Sequence, residues 1–423
     1  MKIKTISEFQ LDKKTHEVER NEQIDKIVLE IIQNVRANGD QVLFDYAKKF
    51  DHVELKNLVV TDDELAEAET IVSKEFIEAI ETAKENIKTF HEAQVEKSWF
   101  LNKKDGVLLG QQVTPMDRVG VYIPGGKAAY PSTVLMNLIP AHLAGVPSIY
   151  IATPPQADGK INPHVLVTAK RVGITQIFKM GGAQAVAAFA YGSESVPKVD
   201  KIVGPGNDFV ARAKKWVYGD VAIDMIAGPS EICVIADESA RADYVAADLL
   251  SQAEHDEAAT SICITANIRL AEQIKEEVEK QLTELDRREI AQASIDNNGQ
   301  IIVVDNMKEA FTLVNDIAPE HLQLMIENAT DHLPDVKHAG AIFLGNYSPE
   351  PLGDYLAGPN HTLPTSGTAK FASPLGVYDF MKKSSIIRYS EAALLKEADY
   401  IETLANLEGL HAHAKSISIR RKK

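Results

Sequence analysis

From residue 118 onward, short apolar runs of strand length alternate with segments whose apolar residues recur at helical spacing. Runs at 118–123, 148–152, 174–179, 201–203, 222–226, 232–236, 261–266 and 301–304 read as strands. The stretches at 132–144, 164–172, 183–191, 208–218, 240–254, 268–282 and 307–317 read as helices. Consecutive strands separated by a helix cannot pair as hairpins, so this order specifies parallel sheets with helices packed on both faces. Eight such strands in 423 residues are more than one sheet comfortably holds, and the chain exceeds what one hydrophobic core usually organises. The expectation is an α/β protein with two incomplete Rossmann-like parallel-sheet domains: 121–230 as one, and 21–120 with 231–375 as a discontinuous other. Residues 1–20 form an N-terminal segment and 376–423 a helical C-terminal one.

Before residue 99 the pattern is helical. Ile24, Ile27, Val28, Ile31, Ile32 and Val35 share a face, Asn38-Gly39-Asp40 interrupts it, Thr61 with Glu64 makes a capping box, and Ser73 caps a helix running to about Glu96. At Trp99 the period changes. Residues 100–102 and 107–113 flank Lys103-Lys104-Asp105-Gly106 as a hairpin. The stretch 345–376 holds five Gly and five Pro with little periodicity, the mark of a loop that carries a site or a lid. Beyond it, 377–389 and 390–415 read as helical, and the tail Arg420-Arg421-Lys422-Lys423 reads as solvated and frayed.

Charge and cysteine usage exclude several function classes. With 45 basic against 61 acidic residues the net charge is −16, which repels phosphate backbones and anionic lipid. Cys233 and Cys263 cannot make a disulfide framework and lack thiolate-zinc spacing, which points to a reducing cytoplasm. Both sit inside apolar strand-like runs, where a thiol is a small buried hydrophobe. The longest apolar stretch, 134–146, is broken by Asn137, Pro140 and His142 and is too short to span a bilayer. Residues 1–12 have no signal-peptide core, so the Asn-X-Ser/Thr triplets at Asn328, Asn346 and Asn360 carry no glycosylation meaning.

Chemistry-bearing residues form several separate groups. Gly204-Pro205-Gly206-Asn207 follows a strand and opens a helix as a dinucleotide turn does, but Phe209 stands where a third glycine would be. Gly181-Gly182-Ala183-Gln184 has the same placement. Taken alone, each turn is more often structural than ligand-binding. Gln252 and His255 lie three apart at a helix end, within reach of a common ligand atom. Glu320-His321 puts a carboxylate beside an imidazole at an element boundary, as acid/base work requires. Asp354 and His361 lie in the Gly/Pro loop, and His411 and His413 near the chain's end. On spacing alone, none of these outweighs an ordinary surface or core role.

Read in order, the pieces make a pattern. They are Arg118-Val-Gly-Val-Tyr-Ile-Pro-Gly-Gly126, Gly181-Gly-Ala-Gln184, Val203-Gly-Pro-Gly-Asn207 and Ile223-Asp-Met-Ile-Ala-Gly-Pro-Ser-Glu231. Then follow Asp248-Leu-Leu-Ser-Gln-Ala-Glu-His255, Asn315-Asp-Ile-Ala-Pro-Glu-His-Leu322, Gly353-Asp-Tyr-Leu-Ala-Gly-Pro-Asn-His361 and Glu408-Gly-Leu-His-Ala-His413. With these eight ordered motifs the chain resembles the histidinol dehydrogenases. The resemblance implies an NAD-dependent, zinc-containing enzyme that oxidises L-histidinol through L-histidinal to L-histidine, consuming two NAD⁺. It places zinc ligands at Gln252, His255, Asp354 and His413 and an acid/base pair at Glu320 and His321. Substrate contacts fall at Ser230, Gln252, His255, His321, Asp354, Glu408 and His413, with His361 a neighbour, and NAD contacts at Tyr122, Gln184 and Asn207. It further implies a homodimer whose C-terminal elements cross to the partner, so that a ligand as late as His413 reaches the site. A zinc-dependent hydrolase, with Glu320 driving water, is the alternative on the same residues, and a non-catalytic relative that binds metal or nucleotide is a third reading.

Overall fold

The fold is that of a computed structural model that describes residues 1–11, 17–125 and 129–421. Gly126 and the final two lysines of the basic tail therefore lie outside the described residues, as does part of the 1–20 segment. The chain divides into two compact units, Met1–Gln94 with Met116–Phe380, and Val95–Pro115 with Met381–Lys423.

The first unit opens with β1 (Lys2–Thr5), α1 (Ile6–Leu11), α2 (Glu17–Tyr46), α3 (Asp62–Ile71) and α4 (Lys74–Glu92). Helix α2 is interrupted at Gly39, whose φ of 53° and ψ of −133° leave helical geometry where the Asn-Gly-Asp signal places a break. The Thr61 capping box and the Ser73 cap both form as expected. In the second unit, β2 (Trp99–Asn102) and β3 (Leu108–Pro115) make the expected hairpin. Returning to the first unit, β4 (Arg118–Tyr122), α5 (Pro131–Leu143), β5 (Ser148–Thr153), α6 (Pro163–Val172), β6 (Ile177–Lys179), α7 (Gly182–Tyr191), β7 (Lys201–Val203), α8 (Asp208–Val217) and β8 (Ala222–Ile223) follow. They build a parallel five-stranded sheet in the order β6-β5-β4-β7-β8. The apolar stripe of α2 (Ile24, Val28, Ile31, Ile32, Val35) shares a core with Ala185, Val186 and Phe189 of α7, so residues 24–46 pack on this sheet rather than with 231–375.

A second parallel sheet is built from β9 (Glu231–Ala236), α9 (Ala242–Ala253), β10 (Thr260–Thr265), α10 (Ile268–Leu282), α11 (Arg288–Asn298), β11 (Gln300–Val303), α12 (Met307–Ile317), β12 (His321–Met325) and β13 (Ala341–Leu344). Its six strands run in the order β1-β11-β10-β9-β12-β13. Residues 2–5, expected to lie outside the domains, form an edge strand in parallel register with β11. Helix α11 and strand β13 were not legible from the sequence pattern. After α13 (Glu350–Tyr355) come a turn at Val377–Phe380 and, in the second unit, β14 (Met381–Arg388), α14 (Glu391–Leu407) and α15 (His411–Ser418).

The expectation of a helix over 377–389 is corrected. Residues 381–388 form a strand antiparallel to β3 across eight pairs, completing a sheet β14-β3-β2. Cross-strand pairing decides a segment whose own pattern, Met-Lys-Lys-Ser-Ser-Ile-Ile-Arg, is weak. The expected C-terminal helix is likewise two helices, parted at Gly409, which adopts a φ of +74°. At the tail, Arg421 pairs with Asp399 and Glu402 instead of fraying. Among the described residues no helix is long and apolar enough to cross a membrane.

Candidate active site

At the amino end of β12, Ala318 ends α12 in a left-handed conformation (φ 52°) and Pro319 prevents the helix from continuing. Glu320 and His321 follow, both buried. One residue of the neighbouring strand orients the two: the Glu231 N–H donates to Glu320 Oε2 at 2.8 Å, and His321 Nδ1–H donates to the Glu231 carbonyl at 2.9 Å. A carbonyl can only accept, so the proton of the neutral imidazole sits on Nδ1 and the lone pair on Nε2. That Nε2 has no hydrogen-bond partner and lies 3.9 Å from both Glu350 Oε1 and Asp354 Oδ1. Burial pulls the His321 pKa down to about 4 and pushes the Glu320 carboxyl well above the usual carboxylate range.

Those two carboxylates belong to α13, where a four-residue spacing puts Glu350 and Asp354 on one face. Together with His255, just past the end of α9, they bring three candidate ligand atoms within 4.8 Å of one another, the one such grouping among the described residues. Burial first, then the charge of Asp354, raises the pKa of Glu350, and burial raises that of Asp354 against a hydrogen bond from Glu350 that lowers it. Gln252, in the last turn of α9, is fully buried with neither amide atom partnered, and Glu350 Oε1 is likewise unpartnered. Buried polar atoms nearly always find a partner, so Glu350 Oε1 and His321 Nε2, 3.9 Å apart, mark a place for a group that protein atoms do not supply, and the unpartnered Gln252 amide, one turn before His255 in the chain, offers a further oxygen. Carboxylate and amide oxygens with one imidazole suit a divalent cation, which would also compensate the burial of the two acids. The residues present fit a metal.

Glu350 was missed in the sequence. Its signal was available, since Glu350 and Asp354 are four apart in a run opened by Pro349 and Pro351. His361 lies against the same cluster: Nδ1–H donates to the Asp354 carbonyl at 3.0 Å and Nε2 accepts from the Thr133 hydroxyl at 3.2 Å, while burial lowers its pKa to about 4. Ser230 directly precedes Glu231, its carbonyl taking the Thr260 N–H at 2.9 Å. Glu408 and His413 lie in the second unit, both exposed, at the end of α14 and in the first turn of α15.

Tyr122, Gln184 and Asn207 come together elsewhere. All three line a cavity of about 1100 Å³ at the carboxyl ends of the five-stranded sheet. Successive strands run outward from β4 through β5 to β6, then return to β4's other side as β7. The cleft so opened between Tyr122, at the end of β4, and Asn207, beyond β7, is where doubly wound sheets receive ligands. Gly182 N–H donates to the Tyr122 hydroxyl at 3.1 Å, and burial pushes that phenol's pKa up to about 12, so it stays a donor. Asn207 caps α8 through Oδ1, accepting from Val210 N–H at 3.2 Å, which leaves its NH₂ as a donor.

The sequence model for histidinol dehydrogenase matches residues 14–421. The histidinol dehydrogenase of Oceanobacillus iheyensis is 57% identical over 402 residues, covering 95% of this chain and 94% of that protein. That of Bacillus subtilis is 54% identical over 424 residues, covering 100% and 99%. The crystal structure of histidinol dehydrogenase from Elizabethkingia anophelis superposes with a TM-score of 0.93 at 40% identity, covering 100% of this chain and 97% of that one. With the α/β architecture and the grouped acids and imidazoles above, these similarities make the chain a member of the histidinol dehydrogenase family.

Proposed function

We propose that this oxidoreductase converts L-histidinol through L-histidinal to L-histidine, reducing two NAD⁺ with the help of a bound zinc ion. The observation that carries the reading is His321: a buried, neutral imidazole whose tautomer is fixed by Glu231 and whose free Nε2 faces the Glu350/Asp354 cluster.

Oxidising an alcohol requires a base for the hydroxyl proton. Nε2 has the lone pair, and the imidazolium formed is stabilised by the two carboxylates 3.9 Å away. Glu320 is the candidate to take a proton from water when the aldehyde is hydrated, because burial makes its carboxylate a stronger base than a solvated one. His321 then serves again in the second oxidation. Gln252, His255 and Asp354 would hold the zinc, with His413 of the partner subunit as the fourth ligand and Glu350 beside them. When bound, zinc supplies Lewis-acid polarisation and a fixed anchor for the substrate's nitrogen donors, and NAD⁺ supplies the hydride acceptor. Ser230, His361 and Glu408 complete the substrate's surroundings in this reading, and Tyr122, Gln184 and Asn207 hold the dinucleotide.

A homodimer sharing its C-terminal segments is supported by the second unit's own surface. Trp99, Phe100, Tyr400, Leu404 and Leu407 are all exposed there, an apolar display that an isolated subunit has no use for. A reducing, cytoplasmic setting is consistent with two free thiols.

Those thiols also bear on mechanism. Aldehyde oxidation elsewhere can proceed through a cysteine adduct, but Cys233 and Cys263 are fully buried in β9 and β10. Burial pushes the Cys263 thiol up to about 12 and that of Cys233 well above its usual value. A Cys233→Ala/Cys263→Ala variant is expected to lose about 1–2 kcal/mol of stability and keep both oxidations. Loss of histidinal oxidation alone would show a thiol at work.

The function itself is tested by NADH absorbance against histidinol consumed in zinc-replete buffer. About two NADH per histidinol supports the full conversion, about one means that the aldehyde is the product, and none rejects the dehydrogenase.

A further inference from the structure

Beneath the turn from β7 to α8 lies an ion pair that the proposed chemistry does not use. Lys214, two turns into α8, and Asp224, just after β8, pair with side chains 2% and 1% exposed. Between them they hold both ends of Gly204. The Gly204 N–H donates to Asp224 Oδ2 at 2.8 Å, and Lys214 Nζ donates to the Gly204 carbonyl at 3.0 Å. Asp224 Oδ1 also accepts the Met225 N–H at 2.6 Å. Gly204 needs such restraint. Its φ of +112° is open to many backbone alternatives for glycine alone, and a Cβ there would stand 2.0 Å from the Tyr122 carbonyl oxygen.

We infer that Lys214 and Asp224 are positioning residues for the dinucleotide, gripping Gly204 so that the turn presents Asn207 beside Tyr122 in the cavity. The inference rests on the reading of that cavity as the NAD⁺ site. Burying two charges is costly, and apolar residues of similar volume often serve stability as well or better. What an apolar pair cannot do is fix the peptide on each side of Gly204, and those peptides set the path to Asn207, the cap of α8. The pairing also explains why the Val-Gly-Pro-Gly-Asn motif and the Ile-Asp-Met motif lie some twenty residues apart yet act on one turn.

The test is steady-state kinetics and NAD⁺ titration on zinc-loaded Lys214→Met, Asp224→Asn and the combined variant. Lys214→Met removes the donor to the Gly204 carbonyl and Asp224→Asn leaves the buried Lys214 ammonium without its counter-charge, so each single change should raise the Kd and KM for NAD⁺ about tenfold or more, while the histidinol KM stays within about twofold. The combined variant removes both buried charges but keeps an amide acceptor for the Gly204 N–H, which guards against failure to fold. It should melt higher than either single variant and still bind NAD⁺ weakly. An NAD⁺ KM within about twofold of the native value in the folded combined variant, or equal rises for NAD⁺ and histidinol, would overturn the inference. Failure of the native enzyme to bind NAD⁺ would instead overturn the reading of the cavity, and the clamp's role with it.

Discussion

A His321→Asn variant is expected to bind histidinol with little change and to turn over about 10²–10⁴-fold more slowly, the usual contribution of a positioned base. Asparagine can keep an N–H for the Glu231 carbonyl but has no basic nitrogen where Nε2 stands. Stability should change little, because the bond to the Glu231 carbonyl is kept and one unpartnered buried polar atom is exchanged for another. The effect therefore belongs in kcat. Stopped-flow absorbance at the first turnover, with KM measured alongside, checks it. Native turnover in the variant would remove His321 from the chemistry.

The second large effect is that of metal removal. Exhaustive chelation should abolish activity, and zinc should restore it. It should also lower the melting temperature by several degrees, because Glu350 and Asp354 are left with raised proton affinity and Gln252 with no partner. Glu350→Gln separates two contributions. It replaces a buried acid whose pKa burial and the Asp354 charge push up to about 8 with a neutral amide, so the metal-free protein should be at least as stable as its parent while zinc affinity falls. Scanning calorimetry with and without zinc reads both. Equal melting temperatures for loaded and stripped protein would mean that the cluster binds no structural or catalytic ion.

Much of this fold was legible because the strand and helix periods differ and alternate. The capping box at Thr61, the break at Gly39 and the hairpin at 100–113 each formed from local chemistry that needs no tertiary help. The failures lie where distant partners decide. Residues 2–5 become a strand only because β11 offers an edge, and 381–388 only because β3 does. At the site, the ordered motifs pointed to Gln252, His255, Asp354, Glu320 and His321, but spacing alone could not weigh them against ordinary polar residues. Glu350 escaped for a related reason. A glutamate in a Pro-rich loop reads as solvated, and its burial follows only from the packing of α13. The roles of Glu231 were invisible in principle, since they are played largely by its backbone N–H and carbonyl.

Anomalous diffraction at the zinc edge, from crystals grown with zinc and histidinol, tests the central claim most directly. One strong peak ligated by Gln252, His255 and Asp354, with the histidinol hydroxyl facing His321 Nε2, is the expected result. Density for histidinol seated away from His321, or no peak among those three side chains, would contradict it.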